Sequence, residues 1–202
     1  MNYIHTALYI NLARRTDKRE HIENELTKYE LPFARYNAFE YPDFWSYGCA
    51  MSHLGVIKQA RDNGYKNVLI LEDDFKFSLS KEVIEEQLTE MFTLKPDFDV
   101  CMLSYNLQHS IDTEHDKIYK VVEAQSSAGY IVQQHYYDKL ISVFEKANQM
   151  LLETRQHWIY TNDQSWKSLQ LTDNWYCFKE RSGHQIPCFS DISQMYVTNY
   201  DW

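Results

Sequence analysis

Three consecutive acidic side chains, Glu72, Asp73 and Asp74, come directly after the apolar run of residues 68–71. Carboxylates this close repel one another unless a cation or hydrogen-bond donors neutralise them. Oxygen ligands of this kind suit Mg²⁺ or Mn²⁺. The triplet therefore predicts a divalent-metal site at the end of a strand, and the alternative is a solvated acidic turn that caps the next helix.

The direction of each side chain assigns roles within this triplet. In an extended chain, successive side chains point to opposite sides. We therefore expect Glu72 and Asp74 to face the metal together. Asp73 should point the other way, towards a ribose hydroxyl or an anchoring residue of the protein.

Positive charge follows the first apolar run, where Asn11 is succeeded by Arg14, Arg15, Lys18 and Arg19. A metal held by two carboxylates beside basic residues suits a diphosphate, because the ion bridges phosphate oxygens and stabilises the leaving group. We predict that Asn11, Arg14 and Arg19 bind a phosphate-bearing ligand, and the alternative is a solvated basic helix start. The chain contains neither a P-loop nor a Gly-x-Gly-x-x-Gly fingerprint, which argues against those two nucleotide-binding classes.

Apolar runs alternate with helical patterns along the chain. The predicted strands are residues 7–11, 33–39, 68–71, 99–103, 119–122 and 128–132. The predicted helices are residues 16–29 with Thr16 as N-cap, 47–63, 83–94, 136–149 and 164–171. This alternation predicts an α/β fold in one domain over residues 1–202, with a mainly parallel sheet covered by helices on both faces. Ligands of such sheets bind outside the carboxyl ends of the strands, where the acids and Asn11 lie.

Composition excludes some partners and favours others. The net charge of −9 makes nucleic acid a poor partner. The four cysteines form no Cys-x-x-Cys pair, so we expect no zinc site built from them and predict that Cys49 and Cys101 are buried thiols. The sequence has no apolar run long enough for a spanning helix and no signal-peptide pattern at its start. We therefore expect a cytoplasmic location with at most peripheral contact at a membrane surface.

Six segments, in chain order, resemble motifs of glycosyltransferase family 25. They are residues 9–19, Gly48-Cys49-Ala50-Met51-Ser52-His53-Leu54, Leu69-Ile70-Leu71-Glu72-Asp73-Asp74, Ser127-Ala128-Gly129-Tyr130-Ile131-Val132, Asn162-Asp163-Gln164, and residues 186–192 with Ser190-Asp191-Ile192. The resemblance implies a GT-A fold and a UDP-sugar donor, such as UDP-galactose or UDP-glucose, with Mn²⁺ or Mg²⁺ on its diphosphate. It also implies transfer to a hydroxyl of a glycan or glycoconjugate, usually with inversion. Relatives build lipopolysaccharide outer core or glycosylate hydroxylysine in collagen, and the acceptor stays open.

The matching segments supply further candidate residues, each with an alternative. Ser52 would contact the donor or bond back to a helix carbonyl. His53 would be catalytic or packed and hydrogen-bonded. His184 would complete the metal shell or lie exposed in a loop. Asp163 would be the base that takes the acceptor proton or a helix cap, and Asp191 is the next carboxylate to consider.

Three other functions remain as alternatives. A catalytically inactive sugar-nucleotide-binding protein of the same fold would keep Glu72 and Asp74 but show no turnover. A nucleotidyltransferase would need a glycine-rich or lysine-containing loop after the first strand, and Leu12-Ala13-Arg14-Arg15 offers no glycine. A non-enzymatic interaction module gives no reason for three adjacent acids at a strand end.

Overall fold

The computed structural model describes residues 1–198. Its strands are β1 (Ala7–Asn11), β2 (Phe33–Asn37), β3 (Asn67–Glu72), β4 (Phe75–Phe77), β5 (Val100–Asp112), β6 (Ile118–Gln133), β7 (Trp175–Phe178), β8 (Gly183–Gln185), β9 (Cys188–Ser190) and β10 (Met195–Val197). Its helices are α1 (Thr16–Lys28), α2 (Trp45–Asp62), α3 (Lys81–Leu94), α4 (Tyr137–Thr154), α5 (His157–Tyr160), α6 (Asn162–Ser165) and α7 (Lys167–Gln170), with a 3-10 turn at Gln134–Tyr136.

A six-stranded sheet in the order β2-β1-β3-β6-β5-β7 forms the centre of the molecule. Strand β1 is parallel to β2 and β3, and β5 is parallel to β7. Strand β6 is antiparallel to its neighbours β3 and β5, so it alone among these six runs against the others. The prediction of a mainly parallel α/β sheet is confirmed. In this sheet Ile10 pairs with Glu72, which brings the carboxyl ends of β1 and β3 side by side.

Both faces of the sheet are buried, which explains why its central strands are continuously apolar. In β3, Val68 and Ile70 face the core that α2 and α4 cover. Leu69 and Leu71 face the opposite core, beneath α1 and α3. The helices thus lie on both faces, as predicted. Within residues 1–198, no helix combines the length and apolar character that crossing a lipid bilayer requires.

Strand β6 is one strand of 16 residues where the sequence predicts two short ones. The connecting residues 123–127 have no strand-like apolar pattern, and Ser126 has a φ of 76°. Pairing with β5, a strand of 13 residues, carries the chain through this stretch, with register shifts between Met102 and Ser110. A non-local partner therefore overrides the local pattern.

Two helix predictions are wrong in detail. Arg15, and not Thr16, occupies the N-cap of α1, without a capping hydrogen bond from its side chain. The predicted helix of residues 164–171 is divided into α6 and α7 at Trp166. Trp166 is fully buried and donates a hydrogen bond from its indole nitrogen to the carbonyl of Ala124 on β6. We attribute the break to this anchoring of Trp166 on the sheet.

Candidate functional site

The acidic triplet lies where β3 ends and the chain turns into β4. Glu72 accepts a hydrogen bond from the Ser127 hydroxyl at 2.9 Å. The side-chain amide of Gln185 donates to Glu72 at 3.1 Å and to Asp74 at 3.2 Å. One amide group therefore brings Glu72 and Asp74 together, as predicted. Asp73 does not point away from them as the alternation would require, because residues 73 and 74 form a turn and all three acids line one cleft.

Asp73 is held by Asn11 at the end of β1. The Asn11 amide donates to Asp73 Oδ2 at 2.7 Å and to the carbonyl of Arg15 at 3.0 Å, and its oxygen accepts from Arg35 at 3.1 Å. Asn11 is 1% exposed. Its side chain is thus engaged within the protein and anchors Asp73, and Asn11 is not among the residues that line the cleft.

Lys18 is the cation that the fold places among these acids. Its ammonium group lies 3.0 Å from Asp74 and 3.5 Å from Asp73. Burial by itself lowers the pKa of Lys18, but the two carboxylates outweigh that effect and hold the pKa above its ordinary value. Burial raises the pKa of Asp73 to about 7, and Lys18 only partly opposes that rise. Three acids therefore face one ammonium group, which leaves negative charge for a further cation to neutralise.

His53 on α2 contacts Glu72 through a side-chain hydrogen bond. The ring is fully buried, with Nδ1 2.9 Å from the Tyr130 hydroxyl and Nε2 3.3 Å from Glu72. Burial by itself raises the pKa of Glu72, but hydrogen bonds from His53 and Ser127 bring it below its ordinary value. Of the two alternatives for His53, the structure supports the packed and hydrogen-bonded one.

Cys49, expected to be buried, is partly exposed and lies one helical turn before His53. One ligand atom from each of Cys49, His53 and Glu72 lies within 4.8 Å of the others, so these residues could together hold a metal ion. Burial, and then Glu72, raises the pKa of the Cys49 thiol well above its ordinary value. Sequence reasoning missed this group because it considered only cysteine pairs, whereas the Cys49–His53 spacing of four on a helix was the available signal.

The structure does not bring His184 to the acids, and its assignment as a metal ligand is wrong. Strand β8 pairs with β4 so that Gln185 lies opposite Phe75. Gln185 faces Glu72 and Asp74, so its neighbour in the strand faces the other way. His184 instead has its Nδ1 2.8 Å from the hydroxyl of Ser78. Burial lowers the pKa of His184.

Arg14 lies at the mouth of the site, and Arg19 does not. Arg14 donates to Asp191 at 2.7 Å and its guanidinium group lies 5.2 Å from the ring centre of Trp45. Arg15 also pairs with Asp191. Arg19 pairs with Glu23 on the exposed side of α1 at 2.9 Å. Consecutive helical residues are about 100° apart around the axis, so a helix that aims Lys18 at the acids turns the next side chain away.

Ser52 lies beside the acids, but its hydroxyl is already engaged. It donates to the carbonyl of Gly48 at 2.7 Å and accepts from the backbone amide of Phe39 at 2.8 Å. The back-bonding alternative is therefore the observed one. The bond from the Phe39 amide holds the backbone of Phe39 in place, and Phe39 and Ser52 line the same cleft as the acids.

Two adjacent openings border the acids. The inner cleft, of about 120 Å³, is lined by Lys18, Trp45, Ser52, His53, Asp73, Asp74 and Asp191 among others. The outer cavity, of about 450 Å³, is lined by Asn106, Gln125, Ser126, His157, Asn162 and Asp163 among others. Both are lined by Cys49, Glu72, Gln185, Ser190 and Ile192, so they meet at the acids.

Asp163 belongs to the outer cavity. Its carboxylate accepts from the backbone amide of Ser126 at 3.3 Å and from the Thr161 hydroxyl at 2.8 Å. Thr161 occupies the N-cap of α6, so the alternative that Asp163 caps the helix is wrong. The neighbouring Trp158 is 63% exposed and is not among the lining residues, whereas His157 lines the cavity. Asp163 is thus a fixed carboxylate in the same opening as Glu72.

Comparison with known proteins adds a family and a fold. Residues 46–166, more than half of the chain, match the model of glycosyltransferase family 25, described as an LPS biosynthesis protein. No curated protein matches the sequence.

Three solved structures share the architecture at low sequence identity. A glycosyltransferase involved in the glycosylation of the major capsid of PBCV-1 superposes with a TM-score of 0.56 at 8% identity, over 94% of this chain and 95% of that one. A197 from STIV gives 0.53 at 9% identity, over 98% and 95%. The glycosyltransferase GlyE from Streptococcus pneumoniae TIGR4 gives 0.52 at 9% identity, over 88% of this chain and 45% of that one. These likenesses concern the fold and confirm the GT-A type of α/β architecture.

Proposed function

The chain belongs to glycosyltransferase family 25, and on that premise we propose that it transfers galactose or glucose from a UDP-sugar to a hydroxyl of a glycan or glycoconjugate. One observation carries the proposal. Glu72 and Asp74 share the side-chain amide of Gln185 at a strand end, in a cleft that has Glu72 and Gln185 in common with the cavity lined by Asp163. Such an arrangement suits a donor on one side and an acceptor on the other.

Glu72 and Asp74 would hold Mn²⁺ or Mg²⁺. Their oxygen ligands fit these ions, and the excess of three acids over one buried lysine supplies the charge that a divalent ion would neutralise. When bound, the ion supplies charge stabilisation to the departing diphosphate. Cys49 and His53 are softer ligands that could bind a metal ion together with Glu72. The metal that supports activity therefore tests whether Asp74 or this Cys–His pair completes the site with Glu72.

The donor would occupy the inner cleft. Arg14 at its mouth would pair with the diphosphate, and Asp73, positioned by Asn11, would reach a ribose hydroxyl. The cleft volume of about 120 Å³ is below the roughly 300–1,000 Å³ of ordinary ligand sites. Donor binding would therefore widen this cleft, and Arg14, which pairs with Glu40 and Asp191, would exchange a carboxylate for the diphosphate.

Asp163 would act as the base. The oxygen of an acceptor hydroxyl in the outer cavity forms a bond to the anomeric carbon as that carbon's bond to the donor phosphate oxygen breaks. The electron pair of the broken bond leaves on UDP, and the hydroxyl proton passes to the Asp163 carboxylate. A single displacement of this kind inverts the anomeric carbon, and a positioned base contributes about 10²–10⁴-fold to the rate.

The cellular setting stays a prediction. All four cysteines are free thiols in the structure, which agrees with the reducing compartment that the sequence suggests. We retain the cytoplasmic location, with at most peripheral contact at a membrane where a glycoconjugate acceptor would lie.

UDP-galactose or UDP-glucose should raise the melting temperature, and more so with Mn²⁺ present, because the ion links carboxylates to phosphates. At a concentration of 100 times the Kd we expect about 5–10 °C for a protein of this size. Differential scanning fluorimetry with and without metal measures this shift, with UMP as a control that lacks the diphosphate. The absence of any shift with UDP-sugars, with or without metal, would remove the donor proposal.

A further inference from the structure

We propose that the outer cavity binds the acceptor and that this acceptor is a neutral, hydroxyl-rich sugar, not a phosphorylated or carboxylated one. The inference rests on the proposed transfer reaction, since it names the substrate class of the same site. Two observations carry it: the chemistry of the cavity wall and one buried amide without a partner.

Uncharged hydroxyl and amide groups dominate the wall of the outer cavity. They belong to Ser46, Asn106, Gln125, Ser126, Ser127, Thr161, Asn162, Gln185, Ser190 and Ser193. Such groups both donate and accept hydrogen bonds, as sugar hydroxyls do.

The charged groups of this wall are all of one sign. Among the lining residues that the structure describes, Glu72 and Asp163 are acidic and none is Lys or Arg. With the proposed ion on Glu72 engaged by the donor diphosphate, a phosphate or carboxylate on the acceptor would meet the Asp163 carboxylate and no lysine or arginine of this wall. The inner cleft is also acidic, with Glu72, Asp73, Asp74 and Asp191 in its wall, but it differs because it holds Lys18 and is the place of the proposed metal ion. Anionic groups thus suit the donor side and neutral groups the acceptor side.

Asn162 supplies the second observation. The residue is 4% exposed and lines the outer cavity, yet its side-chain amide nitrogen has no hydrogen-bond partner among the described residues. Buried donors in native proteins are nearly always paired. The hydroxyl oxygen of a bound sugar would supply the missing acceptor. Because Asn162 adjoins Asp163, a sugar held at one hydroxyl by the amide would present a neighbouring hydroxyl to the base.

Binding of sugars to the protein without donor tests the cavity independently of turnover. Saturation-transfer difference NMR would compare methyl glucoside and lactose with glucose 6-phosphate and glucuronic acid. We expect signals from the neutral sugars and at least 10-fold weaker binding of the anionic ones. Equal or better binding of glucose 6-phosphate would overturn the proposal. Failure of the proposed function would look different, because UDP-sugars would then not bind while the preference for neutral sugars persisted.

Asn162→Ala tests the unpartnered amide. We expect the KM for the best neutral acceptor to rise by about 10-fold, with a melting temperature close to that of the wild type, because no protein hydrogen bond of that amide is lost. An unchanged KM in a folded variant would contradict the role of Asn162.

A change of charge tests the basis of the selectivity. Gln125→Lys adds a cation to the cavity wall, and Gln149→Lys adds the same charge on the exposed side of α4 as a matched control. We expect Gln125→Lys to improve the binding of glucose 6-phosphate relative to methyl glucoside by about 10-fold, and Gln149→Lys to leave this ratio unchanged. If both variants change this ratio equally, or if neither variant changes it, the wall does not select acceptors by charge.

Discussion

Asp74→Asn should lower sugar transfer by about 100-fold or more while the protein stays folded. The substitution keeps the volume of the side chain but removes one of the two carboxylates that share Gln185. Loss of a group that stabilises developing charge typically costs about 10²–10³ in rate. The fold should persist because Lys18 keeps Asp73 at 3.5 Å, and the amide oxygen of Asn can still accept from Gln185. Steady-state UDP release with Mn²⁺ and a melting curve measure both effects.

Two matched variants make this prediction specific. Asp112→Asn removes a carboxylate that also pairs with a lysine, Lys179 at 2.6 Å, but on the exposed surface, and it should leave transfer unchanged. Cys49→Ser removes the soft ligand beside Glu72, and transfer with Mn²⁺ should survive it if the oxygen ligands hold the ion. Full activity of both Asp74→Asn and the EDTA-treated wild type would show that the metal role is wrong.

Asp163→Asn should lower kcat by about 100-fold or more and leave the melting temperature and UDP affinity nearly unchanged. Asn cannot take a proton from the acceptor, but it can keep the local structure. Its oxygen can accept from the amide of Ser126, and its amide can donate to the hydroxyl of Thr161, which can act as donor or acceptor. The change therefore removes the basic group and little else.

Thr161→Ala is the companion variant, because it removes one hydrogen bond to the carboxylate but leaves the carboxylate in place. We expect a much smaller loss of kcat for it than for Asp163→Asn. Turnover of Asp163→Asn near that of the wild type would exclude Asp163 as the base. Asp191, which pairs with Arg14 and Arg15, would then be the next carboxylate to test.

The position of the site could be predicted from the sequence because local features specify it. An apolar run followed directly by acids identifies a strand end, and the parallel sheet brings the end of β1 beside it. Glu72 and Asp74 do come together, but strand alternation is not the reason, because β3 ends at Glu72 and the next two residues form a turn.

The remaining residues of the site depend on contacts that are distant in sequence. Whether His184 or Gln185 faces the acids is decided by the register of β8 on β4, more than 100 residues away in the chain. Lys18, and not the predicted Arg19, reaches the acids, because packing of α1 on the sheet fixes the rotation of the helix about its axis. The single-domain assignment of residues 1–202 and the ligand-binding roles of Arg14 and Asp73 stay predictions.

The most direct test of metal-dependent transfer is UDP release from a panel of UDP-sugars, measured with a neutral sugar acceptor in the presence of Mn²⁺, Mg²⁺ or EDTA. We predict that UDP-galactose or UDP-glucose supports acceptor-dependent release with Mn²⁺ or Mg²⁺, and that EDTA abolishes it. Release that proceeds equally in EDTA would contradict the metal site, and binding of UDP-sugars without any turnover would instead identify an inactive sugar-nucleotide-binding protein.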